Sequence, residues 1–305
     1  MGKKLKVAIY SGSIPSTTFI ENLINSISNE NIIIYLFGKI DGHVKYHNKN
    51  IYLFEIPIKR ISVLFFIIIQ MVRLIISSPI NFVKLVKYYI SISKEMHIYF
   101  FQWWSKVLPV INNLPDVFHI QWAKSLSDWF FLKEIFGVKI ILSLRGAHIN
   151  YSPLADDCLA KSYLYYFPKI DCFHAVSKSI AIEARKYGAT KKNTKIIYSA
   201  VNIEHLKKFK NTKINTCSPF QFISVGRYHW KKGYHYALSA LHSLLEKGLN
   251  VHYTIIASDS PSEEVMYQIN DLSLDENIDL VIPQNQIEVY KKIKLSDCLI
   301  LPSVE

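Results

Sequence analysis

Ser224-Val-Gly-Arg-Tyr-His-Trp-Lys-Lys-Gly233 is the stretch in which residue types and spacing come closest to a chemical task. It follows a short apolar run and opens onto a helix-like one. Gly226 lets the backbone turn sharply where the strand ends. Arg227 and Lys232 lie five residues apart across the loop, near enough for both to reach one phosphate-sized anion beside the next helix's N-terminus. Free N–H groups and the helix dipole add to the two cations there. If that anion is a leaving diphosphate, negative charge builds on its bridging oxygen as the bond breaks. Cations fixed at that point stabilise the transition state more than the ground state. On spacing alone, two solvated basic residues in a surface loop are the simpler reading.

The elements that must position this loop alternate along the chain. Short apolar runs at 6–10, 32–37, 117–121, 139–144, 172–176, 194–197, 221–225, 252–256, 279–282 and 298–301 read as strands. Several are β-branched and lack polar alternation, which suits parallel strands covered on both faces. Helical candidates, such as 18–28, 177–187, 234–247 and 263–272, lie between them. The alternation predicts an α/β protein with doubly wound parallel sheets. A polar stretch rich in Lys, Asn and Thr at 205–218 reads as a linker. It separates a first domain, 1–204, from a second, 219–305, with a cleft expected between them.

The net charge is +12, and a basic surface attracts nucleic acid, anionic lipid headgroups or phosphorylated small molecules. The absence of an RNA-binding aromatic signature or a helix-turn-helix pattern sets nucleic acid aside. Cys158, Cys172, Cys217 and Cys298 form no CxxC pair and no zinc spacing, so they read as reduced, buried thiols of a cytosolic protein. The apolar piece at 7–10 is too short for a secretory signal and reads as a first buried strand. Lys6 stands where N-myristoylation wants Ser or Thr.

One segment breaks the pattern. Residues 61–72 are twelve in a row without a charge, followed by Arg73 and Leu74-Ile-Ile76. A spanning helix needs about 20 predominantly apolar residues, so a single span is not expected. Lys59 and Arg60 precede the segment, and Arg73, Lys84 and Lys87 follow it. Two readings stay open: a basic, apolar helix lying in a membrane interface, or a helix buried in the first domain's core or at a dimer contact. Tyr99-Phe-Phe-Gln-Trp-Trp104 fits the same surface or the core.

Val225-Gly-Arg…Lys232-Gly233 resembles the V-G-R-x(4)-K-G sequence of family-4 glycosyltransferases. Similar in the same order are His174-Ala-Val-Ser-Lys-Ser-Ile180, Lys186-Tyr-Gly-Ala189, Ile196-Ile-Tyr-Ser-Ala-Val-Asn202 and Ser296-Asp-Cys-Leu-Ile-Leu-Pro-Ser303. At the front, Ser16-Thr-Thr-Phe-Ile20 resembles the S-E-T-F-I of exopolysaccharide and O-antigen members. Each match is short; their order and spacing together carry the resemblance. It implies the GT-B fold of two Rossmann-like domains. It also implies that Arg227 and Lys232 grip the donor diphosphate, with Gly226, Ser177 and Ser303 on the donor side.

The first domain then holds the acceptor. Ser13 lies in a loop after the first strand, where such folds line their cleft; an ordinary turn is the alternative. Leu144-Arg-Gly-Ala-His-Ile149 aligns with the family's (H/R)-G-x-D-I, which gives Arg145, Gly146 and His148 a phosphate- or sugar-binding role beside a purely structural one. His148 stands where Asp is usual. His119, Gln121 and Trp122 resemble an H-x-(H/Q)-W run, although a histidine inside a strand is more often a satisfied core residue.

Three departures matter. Ala257-Ser-Asp-Ser-Pro261 replaces the family's G-x-G-P. Asp156-Asp157 reads as a solvated turn, not as the metal-binding DxD of other transferases. The family's E-G-x(6)-E should follow P-S, and by register Glu305 falls one position before its first glutamate. That leaves the second domain incomplete, as expected of a truncated or partial sequence. The resemblance implies a retaining transferase that moves a sugar from a nucleoside-diphosphate donor to a saccharide, the acceptor polyprenyl-linked and made for a bacterial surface polysaccharide such as capsule or O-antigen. It implies a cytoplasmic protein, either free or peripheral on the inner face of the cytoplasmic membrane. No metal and no cofactor beyond the nucleotide-sugar is expected, and the donor phosphate helps to deprotonate the acceptor. A non-catalytic nucleotide-binding or scaffold protein is the rival reading, and a GT-B-like sugar epimerase a third.

Overall fold

The computed structural model describes residues 4–28, 31–42, 46–95, 99–199, 207, 219–283 and 285–304. The chain divides into two compact units, Met1–Val201 and Asn202–Glu305. Apart from Lys207, the expected linker lies outside the described residues, as do Cys217 and Glu305.

The first unit is built on eight parallel strands: β1 (Leu5–Tyr10), β2 (Ser13–Ile14), β3 (Ile32–Ile40), β4 (Ile51–Glu55), β5 (Val117–Ile120), β6 (Lys139–Leu144), β7 (Cys172–Ala175) and β8 (Thr194–Ile196). The order runs β3-β1-β5-β6-β7-β8, and β3 also pairs with β2 and β4. The chain therefore winds outward from β1 in one direction and restarts at β5 in the other. Alternate residues of β1 serve opposite faces. Val7 and Ile9 pack with Ile20 and Ile24 of α1 (Thr18–Ile27), whereas Ala8 and Tyr10 join the larger core on the other side. Ser13, expected in a loop after the first strand, instead pairs with Lys39 in the two-residue β2. Its Cα partner lies past the point where the apolar run of β3 was expected to stop.

The helices of the large core are α2 (Arg60–Ser77), α3 (Pro79–Glu95), α4 (Phe100–Asn112), α5 (Leu126–Trp129), α6 (Phe131–Phe136), α7 (Ala147–Asn150), α8 (Ser152–Ala155), α9 (Asp157–Tyr166) and α10 (Lys178–Ala184). At its centre Trp129 meets Tyr10 and Phe118 with ring centroids 4.9 and 4.8 Å apart. Asp156 is the N-cap of α9 and accepts the Leu159 N–H at 3.0 Å. Of the readings open for 61–72, a helix buried in the first domain's core does not form: in α2 only Ile67 and Leu74 are buried. The aromatic run splits, with Tyr99 73% and Phe101 53% exposed but Trp104 3%. The thiols depart from expectation too, since Cys158 is exposed and Cys172 and Cys298 are half-buried.

The second unit has a four-stranded parallel sheet in the order β11-β10-β9-β12, from β9 (Phe220–Val225), β10 (Val251–Ile256), β11 (Ile278–Val281) and β12 (Cys298–Leu299). Helices α11 (Tyr234–Glu246) and α12 (Glu263–Asp271) cover one face through Leu238, Leu241, Val265 and Ile269. On the other, Val289 of α13 (Gln286–Leu295) meets Ile223 and Ile256.

One device recurs at the amino edges of both sheets. Asp116 Oδ2 accepts the Lys6 N–H at 2.9 Å, Asp171 Oδ2 the Ile140 N–H at 2.9 Å, and Asp297 Oδ2 the Gln221 N–H at 2.8 Å. Each aspartate precedes its own strand and accepts from the neighbouring one. Asp171 also pairs with Lys133 at 2.8 Å. Leaving the Ile140 N–H without its acceptor costs about 1–3 kcal/mol. Asp171→Ala should therefore lower the urea midpoint of the first unit, while Asp171→Asn, which keeps an acceptor oxygen, should lose less.

Candidate functional site

In the second unit the loop after β9 is folded tightly. The Gly226 N–H donates to Ile256 O at 2.9 Å, and its carbonyl accepts the Tyr234 hydroxyl at 2.9 Å. The Lys232 stem lies across Gly226: a Cβ there would stand 3.2 Å from Lys232 Cε and 3.1 Å from Tyr234 Oη. Trp230–Lys232 forms a single 3₁₀ turn, ended by Gly233 at φ 64°. A side chain at Gly233 would collide with the Pro302 carbonyl, so glycine is required by conformation and by space. Just beyond, the Val304 N–H donates to Lys231 O at 3.0 Å. The structure thus brings Gly226, Lys232, Gly233 and the exposed Ser303 together. Arg227, next to Gly226, is exposed, and neither it nor Lys232 has a carboxylate partner among the described residues.

Buried polar groups hold this corner in place. Tyr253 Oη donates to Ser224 Oγ at 2.7 Å, and Ser224 Oγ donates to Ile300 O at 2.7 Å. The chain of bonds crosses from β10 through β9 to the segment leading into Pro302 and Ser303. Burial raises the Tyr234 phenol to about 12 and pushes that of Tyr253 higher still, so both remain donors at any ordinary pH. Gly233 gives α11 no side-chain cap. The N-terminus of this 13-residue helix therefore opens beside Lys232.

In the first unit the carboxyl ends of β1, β5, β6 and β7 carry a second cluster. Trp122 is its hub. Its indole N–H donates to Ser11 O at 3.1 Å, and its ring lies 6.2 Å from Phe19 and 5.4 Å from His148. The Arg145 guanidinium sits 4.3 Å from the Phe19 ring centre and donates to Gln121 Oε1 at 3.2 Å. Gly146 follows at φ 35° and starts α7. Ser13 is exposed, and its carbonyl accepts the Ser11 hydroxyl at 3.0 Å. Ser177 is the N-cap of α10, its oxygen accepting the Ile180 N–H at 3.2 Å. Arg145 Nε and His148 Nδ1 are inaccessible and have no hydrogen-bond partner among the described residues.

Near Arg145 runs a buried polar chain in which His119 is a satisfied core residue, as a strand histidine more often is, with Ser143 and His174 as partners that the sequence did not reveal. Ser143, with no exposed surface, contacts His119 Nε2 at 2.9 Å and His174 Nδ1 at 3.0 Å, and donates to Gln121 Oε1 at 3.4 Å. The far nitrogen of His174 reaches Ile197 O at 3.0 Å. The signal available was a polar residue within each apolar run, His119, Ser143 and His174: Ser143 faces His174 across β6 and β7, while His119 pairs with Ile141, two residues before Ser143 on the same face of β6. Desolvation, then His174 and Arg145, lower the His119 pKa to about 3. Burial lowers His174 and His148 as well, and lowers Arg145 only to about 10, so it stays charged at neutral pH.

Residues 204–305 match the sequence profile of the family described as Glycosyl transferases group 1. No curated protein matches the chain by sequence. Among solved structures, the chain is similar to a glycosyltransferase from Rickettsia africae ESF-5 (TM-score 0.62, 15% identity, covering 100% of this chain and 74% of that one). It is similar to Anabaena Alr3699/HepE in complex with UDP (0.60, 14%, 99% and 74%) and to the lipopolysaccharide outer core galactosyltransferase WaaB in its apo form (0.57, 15%, 98% and 74%). The architecture reaches as far as UDP-N-acetylglucosamine 2-epimerase from Rickettsia bellii (0.51, 13%, 97% and 73%), so the fold alone does not select a reaction.

His119 is neutral when folded but titrates near 6.5 when unfolded. Below that pH the unfolded chain binds the extra proton, so stability falls as pH drops from about 6.5 toward 3. Taking the first unit from pH 7 to pH 5 should cost on the order of 1–2 kcal/mol from this group. The urea midpoint should shift accordingly, and the His119→Asn variant should show a shallower pH slope, the remainder coming from His148 and His174. The match to the glycosyl transferases group 1 profile falls within the second unit, and the likeness to solved glycosyltransferases gives the chain the GT-B fold of two parallel α/β units.

Proposed function

We propose that this protein transfers a sugar from a nucleoside-diphosphate donor to a saccharide acceptor. The carrying observation is the Gly226–Gly233 loop. Lys232 stands beside the start of α11, which has no side-chain cap, and exposed Arg227 follows Gly226 in the same loop, both without a carboxylate partner among the described residues and both within the region that matches the glycosyltransferase profile. Arg227 and Lys232 grip the donor diphosphate and stabilise the charge that develops on it as the glycosidic bond breaks. Gly226 keeps the strand end open to the phosphate, because a side chain there would displace Lys232. Ser303, held next to Lys231 and Gly233, lies on the same donor side. The bound UDP of the Anabaena structure supports a uridine nucleotide as the first donor to try.

The acceptor belongs with the first unit. Half-buried Arg145 and His148 and exposed Gly146 follow the carboxyl end of β6, Ser13 is exposed in β2, and in this reading they meet a sugar hydroxyl or phosphate of the acceptor. Ser177, the N-cap of α10, stays assigned to the donor side. The similarity to WaaB supports a surface-polysaccharide acceptor, and a lipid-linked one fits the basic balance and the apolar α2. Retention follows if the donor phosphate takes the acceptor proton on the face the leaving group vacates. The reading places the enzyme at the cytoplasmic face of a membrane and uses Arg227 and Lys232 as its fixed positive charge.

Calorimetric titration with UDP and UDP-glucose tests the donor site. Arg227→Ala and Lys232→Ala should each weaken nucleotide binding by about 10- to 100-fold, the worth of one charge-assisted hydrogen bond. Unchanged affinity in both variants removes the diphosphate assignment. Binding without turnover of labelled donor favours a nucleotide-binding protein, and interconversion of the donor sugar with no acceptor present favours an epimerase.

A further inference from the structure

Helix α2 is apolar on every side but buried on one. Ile67 and Leu74 are 2% and 1% exposed, and Val63 and Met71, at the same helical spacing, pack on the core. Asn112 of α4 donates to Gln70 Oε1 at 2.7 Å and to its carbonyl at 2.9 Å. The other sides carry Ile61 at 73%, Phe65 at 60%, Ile69 at 63% and Ile76 at 78% exposure, continued by Ile80 of α3 at 69%. Monomeric soluble proteins rarely leave so much contiguous apolar surface in water. By length and composition α2 is long and apolar enough to cross a membrane. Its ties to α4 hold it along the body of the unit, which is the geometry of a helix lying in an interface.

Two further observations say what covers this face. Residues 56–94 hold six Lys or Arg and no Asp or Glu, which suits an anionic surface. Beside the face a pocket of about 970 Å³ opens between α2, the first turn of α4 and the carboxyl ends of β1 and β3. Ile58, Ile61, Leu64 and Phe100 give it an apolar wall, and its cations are Lys39, Arg60 and Lys106. Among the described residues no carboxylate lines it. Asp128 already engages Lys106 at 2.8 Å, which leaves Lys39 and Arg60 as the charges that face a ligand.

We propose that this pocket binds the phosphate end of an anionic lipid held in a bilayer on which the exposed face of α2 rests. Acyl or isoprenoid chain would meet the apolar wall, and the phosphate would sit between Lys39 and Arg60. That the bound lipid is the sugar acceptor rests on the transferase reading; the docking does not, because it needs no donor.

The test is flotation of the full chain with phosphatidylcholine vesicles, with and without polyprenyl monophosphate. Wild-type protein should float with the anionic vesicles, lose them as salt rises, and keep them in millimolar inorganic phosphate. Neutralising two basic residues, in Lys39→Gln with Arg60→Gln, should weaken retention about tenfold or more. Phe65→Gln with Ile69→Gln should weaken it on every vesicle. UDP titration of each variant serves as the control, since these residues belong to the first unit. Loss of UDP binding with flotation intact sinks the transferase reading alone. Wild-type protein that leaves both vesicles and binds UDP overturns the lipid site, as does a Lys39/Arg60 variant that floats like wild type. A dimer that Phe65→Gln dissolves, with no lipid retention, assigns the face to a second copy and overturns it too. Release of wild type by inorganic phosphate marks the pocket as a free-phosphate site and has the same effect.

Discussion

Parallel strands can slide past one another, and a slip of one residue turns every side chain to the opposite face. The aspartates at the amino edges oppose that slip. Asp116 ties β5 to the start of β1, Asp171 ties β7 to β6, and Asp297 ties β12 to β9. Each carboxylate is fixed immediately before its own strand and takes an N–H from the next one, so the bond forms in one register only. With the amino ends set, the strand lengths decide what emerges at the other edge. Tyr10 and Ser11, Gln121 and Trp122, Arg145, and Gly226 and Arg227 all leave their sheets as they do because of this anchoring. The contacts of Trp122 with Ser11 and of Arg145 with Gln121 depend on β1, β5 and β6 ending level.

Polar groups inside the sheets add a second constraint. A hydroxyl or imidazole in an apolar strand is costly unless it is bonded. Ser143 is bonded to both histidines and to Gln121, and Ser224 to Tyr253 and Ile300. Both serines sit near the carboxyl end of a central strand, directly beneath the candidate cations. They cross-link neighbouring strands where the sheet would otherwise be most free to splay. The same positions in a wholly apolar strand would pack as well but would not fix the angle at which Arg145 or the Gly226 loop leaves the sheet.

Much of this was legible in the sequence. The alternation of apolar runs with helical stretches gave strand positions to within one or two residues at most ends, because buried parallel strands are written as continuous Val, Ile and Leu. Gly226, Lys232 and Gly233 were legible as a loop for the same reason: a glycine at each end bounds a short basic run. The partners of that loop were not. Pro302 lies 69 positions beyond Gly233 in the numbering of the chain and meets it only because β12 pairs with β9. β2 and β4 were missed, one for its two-residue length and the other because Ile51–Glu55 resembles any short edge segment. Composition alone could not separate a core helix from a surface one at 61–72; only the single buried stripe of α2 does so.

Charge is sorted along the strand direction within each unit. Carboxylates close the amino edges, and Arg145, Arg227 and Lys232 stand at the carboxyl edges, where helix N-termini and free N–H groups already favour anions. The histidines near Arg145 add nothing to this charge, because burial keeps His119, and to a lesser degree His174 and His148, neutral. Protonating them would place a second buried cation beside the guanidinium, which is part of why they resist it. Positive charge at that edge is therefore carried by a group that stays ionised at neutral pH, and the titrating groups are confined to holding it in place. Acid should then act on this edge through the fold that supports Arg145, and not through the charge Arg145 presents.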